Sequence, residues 1–257
     1  MNKEYKTFIT AHSGCEGTER DSLETIERAL RYGADIIEMD VRMAPTGVLR
    51  ISHNRMTAEE YEAKPTLEEV FRRIKDTHLR INCDLKEQST LYAVLLLGER
   101  MGLGADRLIL SGCTSPEQLA RDPEIVKRAA VYLNMEEILK YLYLAEGAEG
   151  CDTRFRDLMS RPWSMMGPAP TPERWLSHIV RCCKMLGVQG LNLPKDRLPE
   201  ELIVLCHEAE LPFSVWTVNE PEIMDKCLRV GAENITTLEV KLAVEKREAF
   251  LRETAEK

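Results

Sequence analysis

The sequence predicts one (β/α)8 barrel, a TIM barrel forming a single domain over residues 1–257, and three observations carry that expectation. Strand-like and helix-like segments alternate from end to end, with eight principal strands in 257 residues, the order expected of a closed parallel sheet wrapped in helices. No Gly-rich dinucleotide loop follows the first strand, which weighs against an open doubly wound sheet. Several strands also end in polar residues, at the end where such barrels carry their chemistry.

In chain order, the first strand is KTFITAH, residues 6–12. A helix follows from about Asp21, where Asp21 and Glu24 are spaced as a capping box and Leu23, Ile26 and Leu30 form the apolar stripe. The next strand is ADIIEMDVRM, residues 34–43. Strand alternation puts Ile37, Met39 and Val41 on one face and Ile36, Glu38, Asp40 and Arg42 on the other. VLRISH reads as a short extra strand, and PTLEEVFRRI as a helix with Pro65 near its start. Strand LRINCDLK, helix TLYAVLLLGERMG and strand DRLILSG come next, then a short helix after Pro116, strand AAVYLNM and helix EEILKYLYLAEG. A Pro- and Met-rich irregular loop at about 151–172 reads as an insertion rather than a domain boundary. It is a candidate lid bearing Trp163, Met165 and Met166, or equally a segment packed outside the barrel. Helix ERWLSHIVRCCKMLG, strand VQGLNLP, helix PEELIVLCHEAE, strand FSVWTVN, helix PEIMDKCLRVGA and strand NITT precede a charged C-terminal helix at about 238–257.

Lys plus Arg is 35 and Asp plus Glu 43, a formal charge of −8. That balance argues against nucleic acid or an anionic membrane surface as the main partner. No apolar run approaches ~20 residues, so neither a transmembrane segment nor a signal peptide is expected. The eight cysteines (Cys15, Cys83, Cys113, Cys151, Cys182, Cys183, Cys206 and Cys227) form no zinc-type C-x-x-C pair. They read as reduced thiols of a cytoplasmic protein. The sequence leaves a homo-oligomer open.

Two acids on a strand that reads as buried repel one another at a cost raised by burial, so a cation between them is expected. In LRINCDLK, residues Asn82, Asp84 and Lys86 share one face. Glu38, Asp40 and Asp84 thus bring three carboxylates from two strands, and oxygen-only ligation favours Mg²⁺ or Ca²⁺ over zinc. His12 ends the first strand and His53 the short extra one. Taken singly, E-x-D also suits salt bridges, a strand-end histidine a structural hydrogen bond, and D-x-K an internal ion pair.

The ordered set of motifs resembles the glycerophosphodiester phosphodiesterases, metal-dependent (β/α)8 enzymes. Their H-R-G, P-E-N-T, G-A-D with E-x-D, H-D, P-T-L-E-E, E-x-K and W-T-V-N are matched here by AHSG, RDSLE, YGADIIEMDV, ISHN, PTLEEVF, CDLK and VWTVN, over roughly residues 6–240. The resemblance implies that Glu38, Asp40 and Asp84 hold the metal, that His12 and His53 serve as acid and base, and that Lys86 adds a charge on the phosphate. Trp216 would then offer a wall for the glycerol moiety, or be an ordinary core aromatic. The implied partner is a small phosphodiester, cleaved to glycerol phosphate and an alcohol. Asp84 with Lys86 also resembles the Asp-x-Lys of related spider-venom phospholipase D barrels, which makes a lyase that forms a cyclic phosphate one alternative. A barrel that binds a phosphorylated ligand without turnover is another.

The departures lie in the substrate-facing shell. Ser13 stands at the H-R-G arginine, Arg20, Asp21 and Ser22 at the last three P-E-N-T positions, Asn54 after the second histidine, and Asp84 at the third ligand glutamate. Arg20 is therefore a candidate substrate-binding cation moved along the loop. The alternative is a solvated arginine paired with Glu16, Glu19 or Glu24.

Overall fold

The computed structural model of the chain describes residues 7–145 and 173–255. Nine strands occur among them: β1 (Phe8–Ala11), β2 (Ile36–Met43), β3 (Leu49–Ile51), β4 (Arg80–Leu85), β5 (Leu108–Gly112), β6 (Ala130–Asn134), β7 (Gly190–Pro194), β8 (Phe213–Trp216) and β9 (Asn234–Thr237). Eight are parallel and close into a barrel, because β1 pairs with both β9 and β2. The ninth, β3, runs antiparallel to the outer end of β2, with Val41 opposite Ile51. This is the expected (β/α)8 barrel with its extra strand.

Helices cover the outside: α1 (Glu24–Tyr32), α2 (Ala58–Glu62), α3 (Leu67–Ile74), α4 (Leu91–Met101), α5 (Pro116–Arg121), α6 (Ile125–Arg128), α7 (Met135–Ala145), α8 (Glu173–Leu186), α9 (Glu200–Glu208), α10 (Pro221–Arg229) and α11 (Val240–Ala255). Helix α3 starts on a capping box, Thr66 with Glu69. The same device starts the short α2, through Thr57 and Glu60.

One expected helix start is corrected. Asp21 and Glu24 form no capping box: α1 begins at Glu24, and Asp21 sits in the left-handed region at φ 61°. The Asp21 carboxylate is engaged across the loop instead, by Ser13 and by the His53 backbone. The irregular loop expected at about 151–172, with Trp163, Met165 and Met166, lies outside the described residues. Among the described residues no helix is long and apolar enough to cross a membrane. Seven described cysteines are free thiols, six of them buried.

Strand alternation divides the sheet into two environments. Ile37, Met39 and Val41 on β2, and Ile81, Cys83 and Leu85 on β4, are wholly buried in the main core. Each full burial of a large apolar side chain stabilises by roughly 1.5–3 kcal/mol. A one-residue register slip would exchange that set for the acids, so the phase of β2 is strongly specified.

The barrel interior is layered. At its base Ile36, Ile109, Ala130 and Tyr132 form a small apolar plug with Phe8 against it. Above it lies a polar belt in which Thr10 Oγ1 donates to Asn234 Oδ1 (2.7 Å), Asn234 Nδ2 to Ser214 Oγ (2.8 Å) and Asn192 Nδ2 to Asn134 Oδ1 (2.9 Å). These pairings satisfy amides that would be costly to bury alone.

Candidate active site

Register brings the acids together. In the parallel pairing of β2 with β4, Glu38 is level with Asn82 and Asp40 with Asp84. Oxygens of Glu38, Asp40 and Asp84 all lie within 4.8 Å of one another. Asp84 is backed by Gly112 on β5, at φ +71°, where a Cβ would come within 1.9 Å of Asp84 Oδ1 and 2.4 Å of the Leu85 carbonyl oxygen. Only glycine fits there.

Lys86 continues the inner face of β4. Its Nζ lies 2.6 Å from Asp40 Oδ1 and 2.6 Å from Asp84 Oδ2, bridging the two carboxylates.

The histidines flank this cluster. His12 follows β1, and its Nδ1 lies 2.9 Å from the Ser13 carbonyl oxygen. A carbonyl only accepts, so Nδ1 carries the proton and Nε2, 3.8 Å from Glu38 Oε2, is the free nitrogen of the neutral ring. His53 lies just beyond β3. Its Nδ1 is 3.0 Å from Asp40 Oδ2 and 2.8 Å from Arg20 Nη2.

Arg20 turns into the site. Its Nη2 donates to Asp40 Oδ2 at 3.0 Å, with the side chain 45% exposed. The expected alternative partners are engaged elsewhere: Glu16 with the Lys241 amide, Glu24 with Arg28, and Glu19 near Lys64.

Crowding of charge sets the protonation of the cluster. Burial pushes Glu38 well above the usual carboxylate range, and the Asp40 and Asp84 charges add to it. Burial also raises Asp84, with Lys86 opposing and Asp40 adding. For Asp40 burial acts in the same sense, but Lys86, Arg20 and His53 outweigh it and hold the group low. Burial would lower Lys86, yet Asp84 and Asp40 raise it. Burial lowers His12, against its hydrogen bond to Ser13 and the Asp40 charge.

All of these side chains except the deeply set Asp40 line one cavity of about 360 Å³, together with Trp216. Its remaining wall includes residues that the motifs did not single out: Asn82, Ser111, Asn134, Asn192, Glu136 and Glu137. Asn134 on β6 and Asn192 on β7 are polar residues inside strands, a signal the sequence carries. Glu136 and Glu137 open α7, where acids are ordinary company for a helix start.

The donor set fits a hard divalent cation. Asp84 Oδ1 is buried without a hydrogen-bond partner, in a cluster of oxygen donors, and a metal ion would satisfy it.

A closed (β/α)8 barrel with acids, histidines and cations gathered at the C-terminal ends of its strands has the design of a hydrolase for an anionic ester. The sequence pattern of the glycerophosphoryl diester phosphodiesterase family matches residues 12–241. The chain belongs to that family and is a phosphoric diester hydrolase of the glycerophosphodiester phosphodiesterase type. The family is generally dependent on a divalent metal. Comparison with curated proteins finds no match.

Solved structures share the fold. A glycerophosphodiester phosphodiesterase from Parabacteroides distasonis aligns at TM-score 0.64 and 18% identity, covering 98% of this chain and 100% of its own. Another from Thermotoga maritima gives 0.65 at 20% identity, covering 95% and 99%. An Oleispira antarctica phosphodiesterase, in complex with the product sn-glycerol-3-phosphate, gives 0.65 at 14% identity, covering 95% and 98%.

Proposed function

We propose that this chain hydrolyses a glycerophosphodiester, or a similar small phosphodiester, to glycerol phosphate and an alcohol, using a divalent cation held by Glu38, Asp40 and Asp84. The observation that carries the reading is the approach of those three carboxylates to within 4.8 Å beside two histidines. The product bound by the Oleispira antarctica phosphodiesterase, which shares the fold, supports the same substrate class. Oxygen-only donors suit Mg²⁺ or Ca²⁺. Bound there, the cation supplies neutralisation of charge developing on the phosphoryl oxygens.

The protein's own groups do the rest. His12, with Nδ1–H committed to the Ser13 carbonyl, presents Nε2 for proton transfer. His53, with Nδ1 against Asp40 and Arg20, presents its other nitrogen. One histidine takes the proton of the attacking water and the other supplies a proton to the departing alkoxide, a division of labour suited to imidazole, whose two nitrogens can accept and donate. Lys86 contributes a point charge and Arg20 a planar donor fork for phosphate oxygens. Trp216 supplies an apolar wall for the glycerol moiety.

The test is hydrolysis of glycerophosphocholine after treatment with a chelator and then with added Mg²⁺ or Ca²⁺. Loss and recovery of turnover are expected. Turnover that survives both the chelator and Glu38→Gln would refute the metal reading.

A further inference from the structure

We infer that Asp21 is a positioning residue that ties the two histidine-bearing loops into one unit and so sets where His53 stands. The inference rests on the role proposed above for His53. That histidine needs outside support, because it lies two residues beyond a strand of only three residues, with its side chain 42% exposed. Its backbone is held at both ends by charged side chains. The His53 N–H donates to Asp21 Oδ2 at 3.1 Å, and the His53 carbonyl accepts from Arg42 Nε at 3.0 Å.

Asp21 reaches in the other direction to the loop after β1. Its own N–H donates to Ser13 Oγ at 2.8 Å, and Ser13 Oγ lies 3.4 Å from Asp21 Oδ1. Ser13 is bound in turn to the rest of the site, since its N–H donates to Glu38 Oε2 at 3.3 Å and its carbonyl accepts from His12 Nδ1 at 2.9 Å. A continuous path therefore runs His12–Ser13–Asp21–His53. Both linking residues are buried, Ser13 at 1% and Asp21 at 6% exposure.

The backbone of Asp21 is specialised for the task. A non-glycine residue at φ 61° is disfavoured unless its surroundings hold it there, and aspartate is among the residues that tolerate the region best. In this conformation one residue presents its amide to Ser13 and its carboxylate to His53. The preceding residue is Arg20, which reaches Asp40 and His53 from the same turn. Ordinary helix capping does not account for the carboxylate, because α1 starts three residues later without using it.

The test is a double-mutant cycle, with melting temperatures measured alongside to identify folded variants. Asp21→Ala should lower kcat about tenfold or more with KM changed less, as a displaced proton-transfer group does. Asp21→Asn keeps an acceptor for the His53 amide and should restore kcat to within about threefold of wild type. In a His53→Ala background, Asp21→Ala should cost no more than about a further twofold, because groups acting through one another are not additive. The inference is overturned if Asp21→Asn is as impaired as Asp21→Ala. It is equally overturned if Asp21→Ala costs the same factor with and without His53. Wild-type turnover by His53→Ala alone would refute the role of His53 itself and the inference with it.

Discussion

Arg20 Nη2 lies 3.0 Å from Asp40 Oδ2, although Arg20 stands on the loop after β1 and Asp40 inside β2. The contact places a guanidinium at the edge of the carboxylate cluster and against His53. His53 Nδ1 cannot serve both neighbours at once. Protonated it donates to Asp40 Oδ2 beside the Arg20 donor on the same oxygen, and bare it accepts from Arg20, so the tautomer of His53 decides which of the two neighbours it binds.

Arg20→Ala should lower kcat/KM by tenfold or more, equivalent to at least ~1.4 kcal/mol of transition-state binding. A guanidinium serving only as an exposed ion-pair partner contributes ~0–1 kcal/mol and would leave kcat/KM within a few-fold of wild type. Steady-state kinetics on glycerophosphocholine distinguishes the two.

His12→Ala and His53→Ala should each reduce kcat by about 10²–10⁴, the usual size of a general acid–base contribution. Thermal melts should differ little for His53→Ala, whose side chain is 42% exposed. Near-wild-type kcat in either variant would remove that histidine from proton transfer.

Cation affinity should rise with pH. Burial, with mutual repulsion adding to it, holds Glu38 and Asp84 above the usual carboxylate range, so the metal-free cluster retains protons that an incoming cation must displace. The sign for folding is opposite. Protons held more tightly by the folded chain than by the unfolded one stabilise it at low pH, and that contribution is lost as pH rises through the raised values. Calorimetry between about pH 4.5 and 8 should therefore show metal-free stability falling from this source while Ca²⁺ or Mg²⁺ affinity increases. Affinity independent of pH across that window would contradict the protonation assigned to the cluster.

Gly112→Ala should weaken cation binding tenfold or more and lower the melting temperature. The added methyl would fall 1.9 Å from Asp84 Oδ1 and on the Leu85 backbone, so Asp84 or β5 must move. Unchanged affinity by titration calorimetry would show that Asp84 is not held in place by this contact.

Much of this architecture was legible in the sequence, and the reasons are physical. Most of the described strands coincide with apolar or alternating runs, because strand burial leaves a period of two, whereas β9 (NITT) is legible only from its place in the strand–helix alternation. Glu38, Asp40 and Asp84 could be expected to meet because their phase on β2 and β4 is tied to the apolar residues between them. The start of α1 was not legible: Asp21 and Glu24 have capping spacing, but the partners that draw Asp21 away, Ser13 and the His53 amide, are set by tertiary structure. The five-residue α2 has the Thr57 and Glu60 capping pair but is too short to carry an apolar stripe, with Tyr61 its one buried side chain. The direction of Arg20 belongs to the same class as Asp21. A long side chain on a loop has several acids within reach, and only the fold decides that Asp40 is the partner.

The most direct measurement of the central claim is phosphorus NMR of glycerophosphocholine incubated with the Mg²⁺- or Ca²⁺-loaded protein. The account predicts conversion of the diester resonance into a phosphomonoester, abolished when Glu38, Asp40 and Asp84 are replaced by their amides. Accumulation of a cyclic diester as the end product would contradict hydrolysis, and an unchanged diester would contradict catalysis on this substrate class altogether.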